Sequence, residues 1–136
     1  MKFLKKLNKL KLAFISGATK GIGRSTAITF ANAGWDLILL SRKMDLLEKL
    51  KSELLTTKSK ISLVKCDLSN PLGIENCVGE AIEKYGCPSV LINNAGCAFN
   101  ESLVEMDFGH WEQTIQTNLT CLLYTSRAHE TIVHLV

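Results

Sequence analysis

The segment Ser16-Gly17-Ala18-Thr19-Lys20-Gly21-Ile22-Gly23 brings three glycines and a lysine together at short spacing. It follows an apolar run over residues 12–15 and precedes a stretch with helical periodicity, which predicts a strand-to-helix turn. Glycine at position 17 permits a tight turn off the strand, and glycine at position 23 permits close packing of the helix on the sheet. Glycine at position 21 lets backbone N–H groups at the helix N-terminus approach an anion. The segment therefore predicts a turn that binds the pyrophosphate of a dinucleotide.

Two cations stand at the end of a second apolar run, where Leu37-Ile38-Leu39-Leu40 is followed by Ser41-Arg42-Lys43. Recognition of NAD needs a carboxylate near this point, to accept hydrogen bonds from the ribose hydroxyls. Asp36 lies at the opposite end of the run, and Asp45 lies inside the next predicted helix. A guanidinium here, together with the ammonium of Lys20, suits a ribose 2′-phosphate. NADP(H) is therefore the predicted cofactor and NAD the less favoured one; the alternative is that Arg42 and Lys43 are solvated residues at a helix start.

Short apolar runs alternate along the chain with longer amphipathic stretches, which is typical of a βα repeat. The predicted strands cover residues 12–15, 37–40, 61–64 and 90–92, and the predicted helices cover 22–33, 45–55, about 74–85 and about 106 to the C-terminus. The strands are continuously apolar, as expected where helices cover both faces of a sheet. With right-handed crossovers, this order predicts an α/β fold with a doubly wound parallel sheet, the Rossmann fold.

The sequence also predicts how the first three helices begin, end and pack. In the first, helical spacing predicts an apolar face made of Ile22, Thr26, Phe30 and Ala33, with the end at Gly34. Asp45, with Glu48 three residues later, predicts a capping box that opens the second helix. In the third, the predicted apolar face comprises Ile74, Val78, Ala81, Ile82 and Tyr85, with a stop at Gly86.

Further motifs follow the glycine turn in order along the chain. Cys66-Asp67-Leu68 ends the third strand, Asn93-Asn94-Ala95-Gly96 ends the fourth, and Asn118 lies on the last helix within Gln116-Thr117-Asn118-Leu119. With the G-x-x-x-G-x-G spacing of the turn, these motifs resemble the short-chain dehydrogenase/reductase family over essentially the whole chain. The segment over residues 85–96 is similar to the 3-oxoacyl-carrier-protein reductases of that family. The motifs fall at the carboxyl ends of strands or on the helix behind them, where open parallel sheets bind ligands.

The resemblance implies the strand order 3-2-1-4, a set of cofactor contacts and an activity. Asp67 is expected near the adenine, Asn94 is expected to steady the sheet and line the cleft, and Asn118 is expected to be the structural and catalytic asparagine. The implied cofactor-binding residues are Gly17, Thr19, Lys20, Gly21, Ile22, Gly23, Ser41, Arg42, Asp67, Leu68, Asn94, Ala95 and Gly96. The implied activity is hydride transfer between the nicotinamide and a small carbonyl or alcohol substrate.

The residues that complete the family's catalytic set are not found in this sequence. In the family a serine orients the carbonyl and the tyrosine of Y-x-x-x-K protonates it, whereas here Tyr85 is followed four residues later by Ser89, and Tyr124 by Ala128. Asn118 is therefore the only predicted catalytic residue. We expect residues 11–136 to form an incomplete NAD(P)-binding domain, truncated after the fourth βα unit, with an apolar strand at its edge. The alternative is a non-catalytic half-domain that binds NADP(H) or a partner chain.

Composition and charge narrow the classes of partner. The chain has 136 residues, 46% hydrophobic and 21% charged, which suits one globular domain. Five lysines fall in the first eleven residues, and subtracting them from the net charge of +3 leaves −2. The basic character therefore belongs to an arm over residues 1–10, which is expected to be a solvated leader rather than a nucleic-acid-binding segment or a signal peptide. No apolar run approaches the roughly 18 residues that cross a bilayer, so a cytoplasmic protein with no membrane partner is expected.

Cysteines and histidines are the remaining candidates for chemistry. The five cysteines show no C-x-x-C pair and no metal-ligand spacing, so buried reduced thiols and no metal site are predicted for Cys66, Cys77, Cys87, Cys97 and Cys121. The histidines His110, His129 and His134 are expected on the surface. The family usually forms dimers or tetramers through the asparagine-bearing helix and its successor, so a homo-oligomer is possible and the oligomeric state stays open.

Overall fold

A computed structural model describes the backbone of residues 11–133 and the side chains of residues 11–127. Its sheet consists of β1 (Leu12–Ser16), β2 (Asp36–Ser41), β3 (Ile61–Lys65) and β4 (Val90–Ile92). All pairs are parallel and the strand order is β3-β2-β1-β4, so the predicted fold class and order are confirmed. The basic arm over residues 1–10 lies outside the described residues.

Helices alternate with these strands and cover both faces of the sheet. They are α1 (Gly21–Asn32), α2 (Met44–Glu53) with a 3₁₀ turn at Leu54–Thr56, α3 (Pro71–Tyr85), α4 (Phe108–Ile115), and α5 (Cys121–Val133). Between α4 and α5 a π-helical turn spans Gln116–Thr120, so the single helix predicted from about residue 106 is in fact interrupted. Asp107 caps α4, because its carboxylate accepts a hydrogen bond from the N–H of Gly109 at 2.8 Å.

Two apolar clusters form the core, one on each face of the sheet. Phe14, Ile38 and Leu40 pack with α3 and the start of α5, whereas Ile15 and Leu39 pack with α1 and α2 on the opposite face. The apolar residues of β1 and β2 thus alternate between the two clusters, and all of these apolar residues are buried. This explains why the central strands read as continuous apolar runs. Complete burial of such a side chain contributes about 1.5–3 kcal/mol.

Most of the predicted packing face of α1 is wrong. The buried residues are Gly23, Ala27 and Ala31, while Ile22 is 79% exposed and Ala33 is also exposed. The physical reason is distance, because small side chains allow the helix axis to approach the sheet more closely than isoleucine or phenylalanine would allow. Phe30 of the predicted face is half-buried and does pack against the apolar cluster on this face of the sheet. The outer side of the helix carries an open groove lined by Gly21, Ile22, Ser25, Thr26, Thr29 and Phe30.

The predicted capping box of α2 is also wrong. The N-cap is Lys43, with no side-chain cap, and Asp45 lies in the first turn. The helix begins at Met44, one residue before Asp45, and the Ser41 hydroxyl accepts a hydrogen bond from the N–H of Lys43 at 3.2 Å. Asp45 still favours the helix by placing a negative charge at its N-terminal end.

The predictions for α3 and β4 agree with the structure. Ile74, Val78, Ala81 and Ile82 are buried on α3, Tyr85 is half-buried, and the helix ends at Gly86 with φ +99°. The three residues of β4 are only half-buried, as expected for an edge strand. Within the described residues, no helix is long and apolar enough to span a bilayer.

Candidate functional site

The glycine turn between β1 and α1 combines one tightly packed glycine with one open glycine. Gly17 has φ +68°, and a Cβ there would lie 2.7 Å from the Cα of Ala95. Its N–H donates to the Leu40 carbonyl at 2.9 Å, which fixes the turn to β2. Gly21 has φ +53°, and a Cβ there would meet no atom within 4 Å. Gly17 is therefore required by packing within the protein, whereas Gly21 faces space that a ligand can enter.

A hydrogen-bond network ties the end of β4 to this turn. The side-chain amide of Asn94 donates to the carbonyls of Ser16 and Gly17, at 3.2 and 3.1 Å. The hydroxyl of Ser16 accepts from the N–H groups of Asn94 and Ala95, both at 3.1 Å. A Cβ at Gly23 would lie far inside van der Waals contact with the same Asn94 amide and with the Gly17 carbonyl oxygen. Asn94 thus shapes the turn from behind, in agreement with the role expected of it in steadying the sheet.

Ser16 is a site residue that the sequence predictions missed. It is 2% exposed at the end of β1, and its hydroxyl accepts hydrogen bonds from two backbone N–H groups that follow the neighbouring strand β4. The only signal in the sequence is a polar residue that closes an apolar strand. Such a signal cannot reveal partners that lie 78 and 79 residues away.

Replacing Ser16 with alanine is expected to lower the free energy of unfolding by about 2–4 kcal/mol, because each buried donor left without an acceptor costs about 1–3 kcal/mol. Urea unfolding measures the change. Ser52→Ala is the control, since the exposed Ser52 hydroxyl only donates to the Glu48 carbonyl in α2 and its loss should cost under about 0.5 kcal/mol. Equal losses in the two variants would contradict the role assigned to Ser16.

The predicted 2′-phosphate residues lie at the same end of the sheet as the glycine turn. Ser16 pairs with Leu40 across β1 and β2, so the segments that follow them, which carry Lys20 and Arg42, leave the sheet at a common edge. Both cations are exposed, and Ser41 is half-buried. Asp36 pairs with Leu12 at the opposite end, and Asp45 lies in α2, as predicted. The end of β2 therefore presents cations and no carboxylate of its own.

Asp67 follows β3 at this edge and is held as a carboxylate. Partial burial acts to raise the pKa of Asp67, but hydrogen bonds from the N–H and hydroxyl of Ser69, at 3.0 and 2.8 Å, and the charge of Arg42 outweigh it and lower the pKa below its usual value. The neighbouring Leu68 is 5% exposed and packs in the core, which leaves little of it for a ligand to contact. Of this pair, Asp67 is the residue available at the surface.

The pKa of Asp67 predicts a dependence of stability on pH. A carboxyl whose pKa is lower in the folded state contributes stability above its unfolded value of about 3.9, and this contribution is lost as the pH falls through the folded value. Between pH 5 and pH 3 we therefore expect the native chain to lose more stability than Asp67→Asn, as measured by urea midpoints. Glu80→Gln, at an exposed position of α3, should behave as the native chain does. Parallel pH profiles for native chain and Asp67→Asn would refute the assignment.

Asn118 lies in the π-helical turn and binds the segment that follows β4. Its side-chain oxygen accepts from the N–H of Cys97, and its amide donates to the carbonyl of Cys97, both at 2.8 Å. A Cβ at Gly96 would lie 3.3 Å from the same oxygen. The structure therefore brings together the asparagine and the end of the N-N-A-G motif, and it gives Asn118 a structural role. Its catalytic role remains a prediction.

The other predicted site residues are distributed around the turn. Thr19 and Ala95 are half-buried, and Gly96 is exposed. The predicted burial of the cysteines is confirmed for Cys66 and Cys121 but wrong for the other three, which are half-buried; all five are free thiols. His110 hydrogen-bonds to Glu101 at 2.7 Å and stacks on Phe99, so it is also half-buried, while the side chains of the other two histidines lie outside the described residues. In the described part of the chain, no group of three metal-ligating side chains could hold a metal ion.

The parallel sheet and the glycine turn after its first strand define a Rossmann-type α/β domain. The chain belongs to the short chain dehydrogenase family, whose family model matches residues 11–132. It is 34% identical over 116 residues to 3beta-hydroxysteroid dehydrogenase 2 of Eggerthella lenta, covering 85% of this chain and 45% of that protein. It resembles the short-chain dehydrogenase from Sphingobium yanoikuyae in complex with NADPH, with a TM-score of 0.81, 29% identity, and coverage of 89% of this chain and 47% of that one.

A further structural relative is the alcohol dehydrogenase from the archaeon Thermococcus sibiricus complexed with 5-hydroxy-NADP. Its TM-score is 0.84 at 29% identity, and the match covers 90% of this chain and 53% of that chain. The chain thus spans about half the length of the relatives that it matches. None of these three is named as a 3-oxoacyl-carrier-protein reductase, so that closer similarity remains a prediction.

Proposed function

We propose that this chain binds NADP(H) and forms the cofactor-binding part of an oxidoreductase acting on a carbonyl or alcohol. The observation that carries this proposal is the open turn at Gly21. The first turn of α1 has no side-chain cap, since its N-cap is the extended residue Lys20, and a Cβ at Gly21 would point into free space. Unsatisfied N–H donors beside an open approach are what a pyrophosphate needs.

The cations at the end of β2 support NADP(H) over NAD(H). Arg42 and Lys20 are exposed at the edge where the adenosine ribose of a cofactor on this turn would lie, and the nearest acidic residue of β2 is at its far end. Charge-assisted hydrogen bonds from a guanidinium to a phosphate are stronger than neutral ones. The solved relatives from Sphingobium yanoikuyae and Thermococcus sibiricus carry NADPH and 5-hydroxy-NADP, respectively, which is consistent with this preference.

The role that we propose for this chain within the reaction is binding and orientation. Bound NADPH supplies the hydride. The glycine turn would hold the pyrophosphate, Arg42 and Lys20 would hold the 2′-phosphate, and Asn118 fixes the backbone of Cys97, the residue after Gly96. Carbonyl reduction also needs an acid that protonates the product oxygen, and this sequence contains no Y-x-x-x-K to provide it. We therefore expect this chain by itself to bind the cofactor without turnover, in a reducing compartment such as the cytoplasm, where free cysteines persist.

Titration of the purified chain with NADPH, followed by nicotinamide fluorescence, tests the proposal. We expect saturable binding in the micromolar range and weaker binding of NADH by at least about tenfold, which corresponds to roughly 1.4 kcal/mol. Absence of binding at high micromolar NADPH would reject the proposed function. Oxidation of NADPH that depends on added carbonyl compound would instead reject the binding-only role for the isolated chain.

A second candidate is a half-domain whose role is to bind a partner chain. It is favoured by a row of exposed apolar side chains that follows one side of α4, the π turn and α5: Phe108, Trp111, Ile115, Leu119 and Leu123. Monomeric proteins seldom expose a continuous row of this kind. Light scattering distinguishes a monomer from a self-associating chain, because the measured mass of a dimer-forming chain rises towards twice the monomer mass as the concentration increases. Whether the partner is a second copy, as the family resemblance suggests, stays a prediction.

A further inference from the structure

Three of the five thiols meet on one face of the sheet, away from the glycine turn. Cys66 follows β3, Cys77 lies on α3 and Cys121 begins α5, and all three belong to the same apolar cluster. Cys66 and Cys121 are buried, whereas Cys77 is half-buried. This cluster has no part in the proposed cofactor binding.

Cys66 and Cys77 lie close together within this cluster. The Cys77 sulfur is 3.5 Å from the carbonyl oxygen of Lys65, the residue that directly precedes the buried Cys66. Cys121 is engaged elsewhere, since its thiol donates to the Thr117 carbonyl at 2.8 Å. The pair that proximity favours is therefore Cys66 with Cys77, and Cys77 is the member of the pair that solvent reaches.

We propose that Cys66 and Cys77 form a two-electron redox site, which hydrogen peroxide closes into a reversible disulfide between the end of β3 and helix α3. Cys77 reacts first: its sulfur attacks a peroxide oxygen, the O–O bond breaks, and a sulfenic acid and one water result. The Cys66 sulfur then attacks the Cys77 sulfur, an S–S bond forms, the S–O bond breaks, and a second water leaves. The two thiols lose two electrons and two protons, and peroxide is reduced to two waters.

The environment of Cys66 sets the order of these steps. Burial, foremost, together with the neighbouring Cys77 thiol and the charge of Asp67, raises the pKa of Cys66. Cys66 therefore reacts with peroxide more slowly than the half-buried Cys77 does, and it serves as the resolving partner, its thiol proton passing to the hydroxyl that leaves the Cys77 sulfenic acid as water. The disulfide would fix Cys66, which directly precedes Asp67. The N–H of Cys66 also donates to the Ser41 carbonyl at 3.1 Å. It thus forms beside the edge that carries the predicted 2′-phosphate residues.

Peptide mapping of the peroxide-treated chain tests the proposal. Trypsin releases residues 66–84 as one peptide, and further cleavage after Glu75 and Glu80 separates the two cysteines, so residues 66–75 and 76–80 stay joined only through a disulfide. After treatment with hydrogen peroxide and blocking of the remaining thiols, we expect to detect these two peptides linked to each other. The linked peptides should disappear after reduction with dithiothreitol. The crosslinked chain should melt about 5 °C or more above the reduced chain, because the short loop constrains the unfolded state.

Three variants make the test specific. Cys66→Ala and Cys77→Ser should each abolish the linked pair and the shift in melting temperature, and circular dichroism establishes that each is folded. Cys87→Ser is the matched control, because the half-buried Cys87 thiol faces the Pro88 carbonyl at 3.8 Å instead of another cysteine. This variant should retain the linked peptides and the shift in melting temperature. Overoxidation of Cys77 without a crosslink, or a disulfide from Cys77 to any cysteine other than Cys66, would overturn the proposal.

Discussion

Replacing Gly23 with alanine is expected to abolish NADPH binding and to lower the free energy of unfolding by about 3 kcal/mol, the upper range for overpacked positions. The new Cβ would overlap the Asn94 amide and the Gly17 carbonyl oxygen, and it would lie 3.0 Å from the Gly17 carbonyl carbon. Most of these atoms are backbone, or are fixed by hydrogen bonds to backbone, so they cannot rotate away. Relief requires α1 to move outward from the sheet, which displaces the N-terminus that we propose as the phosphate site. Urea unfolding and NADPH fluorescence measure the two effects.

Two other glycines separate folding from binding in this experiment. Gly79→Ala in α3 meets no atom within 4 Å, so it should leave NADPH affinity unchanged and stabilise the helix by about 0.5–1 kcal/mol. Gly21→Ala also meets no protein atom, but its φ of +53° costs about 1–2 kcal/mol, and its Cβ occupies the proposed path of the pyrophosphate. Gly21→Ala should therefore remain folded and bind NADPH at least about tenfold more weakly, a free-energy loss of roughly 1.4 kcal/mol or more. Unchanged affinity in Gly21→Ala would remove the basis for the phosphate site even if Gly23→Ala failed to fold.

Replacing Arg42 with alanine is expected to weaken NADPH binding by about 2–3 kcal/mol, or roughly 30- to 150-fold, since hydrogen bonds to charged groups contribute about 1.5–3 kcal/mol. NADH lacks the 2′-phosphate, so its affinity should change by less than about twofold, an amount equal to about 0.4 kcal/mol. Parallel titrations with the two cofactors measure this selectivity. Lys20→Ala should show the same pattern with a smaller loss, because an ammonium does not make the bidentate contact of a guanidinium.

Lys49→Ala is the matched control for charge. Lys49 is an exposed cation on α2, the helix that follows Arg42, and it lies on no segment assigned to the cofactor. Lys49→Ala removes the same net charge as Arg42→Ala. It therefore measures how much of the change in NADPH affinity comes from the positive surface charge alone, an effect that salt screens over about 8–10 Å. Equal losses of NADPH affinity in Arg42→Ala and Lys49→Ala, or an equal loss of NADH affinity in Arg42→Ala, would contradict the 2′-phosphate assignment.

Most of the fold was predictable from the sequence because its signals are local. The strand over Val90–Ile92 has the bounds that its apolar run predicts, and α3 buries the side chains that helical spacing selects. The parallel sheet follows from the alternation of strands and helices, since the crossover rule leaves few topologies. Both α1 and α2 were predicted close to their observed bounds, but most of the packing face of α1 and the cap of α2 were wrong. Periodicity does not show that the sheet selects the small residues Gly23, Ala27 and Ala31, and the capping pattern at Asp45 does not mark the residue at which α2 begins.

The sequence by itself determined the glycine turn, the cations after the second strand and the family to which these motifs belong. It did so because each motif is a short run of residues whose chemistry depends on its neighbours in the chain. Only the tertiary structure decided that Gly17 and Gly23 pack against Asn94 while Gly21 stays open, that Ser16 accepts hydrogen bonds from two N–H groups that follow β4, and that Cys66 and Cys77 pack in one cluster. The physical reason is that packing and hydrogen bonding act between atoms in space. A crossover that brings β4 beside β1 joins residues nearly eighty positions apart.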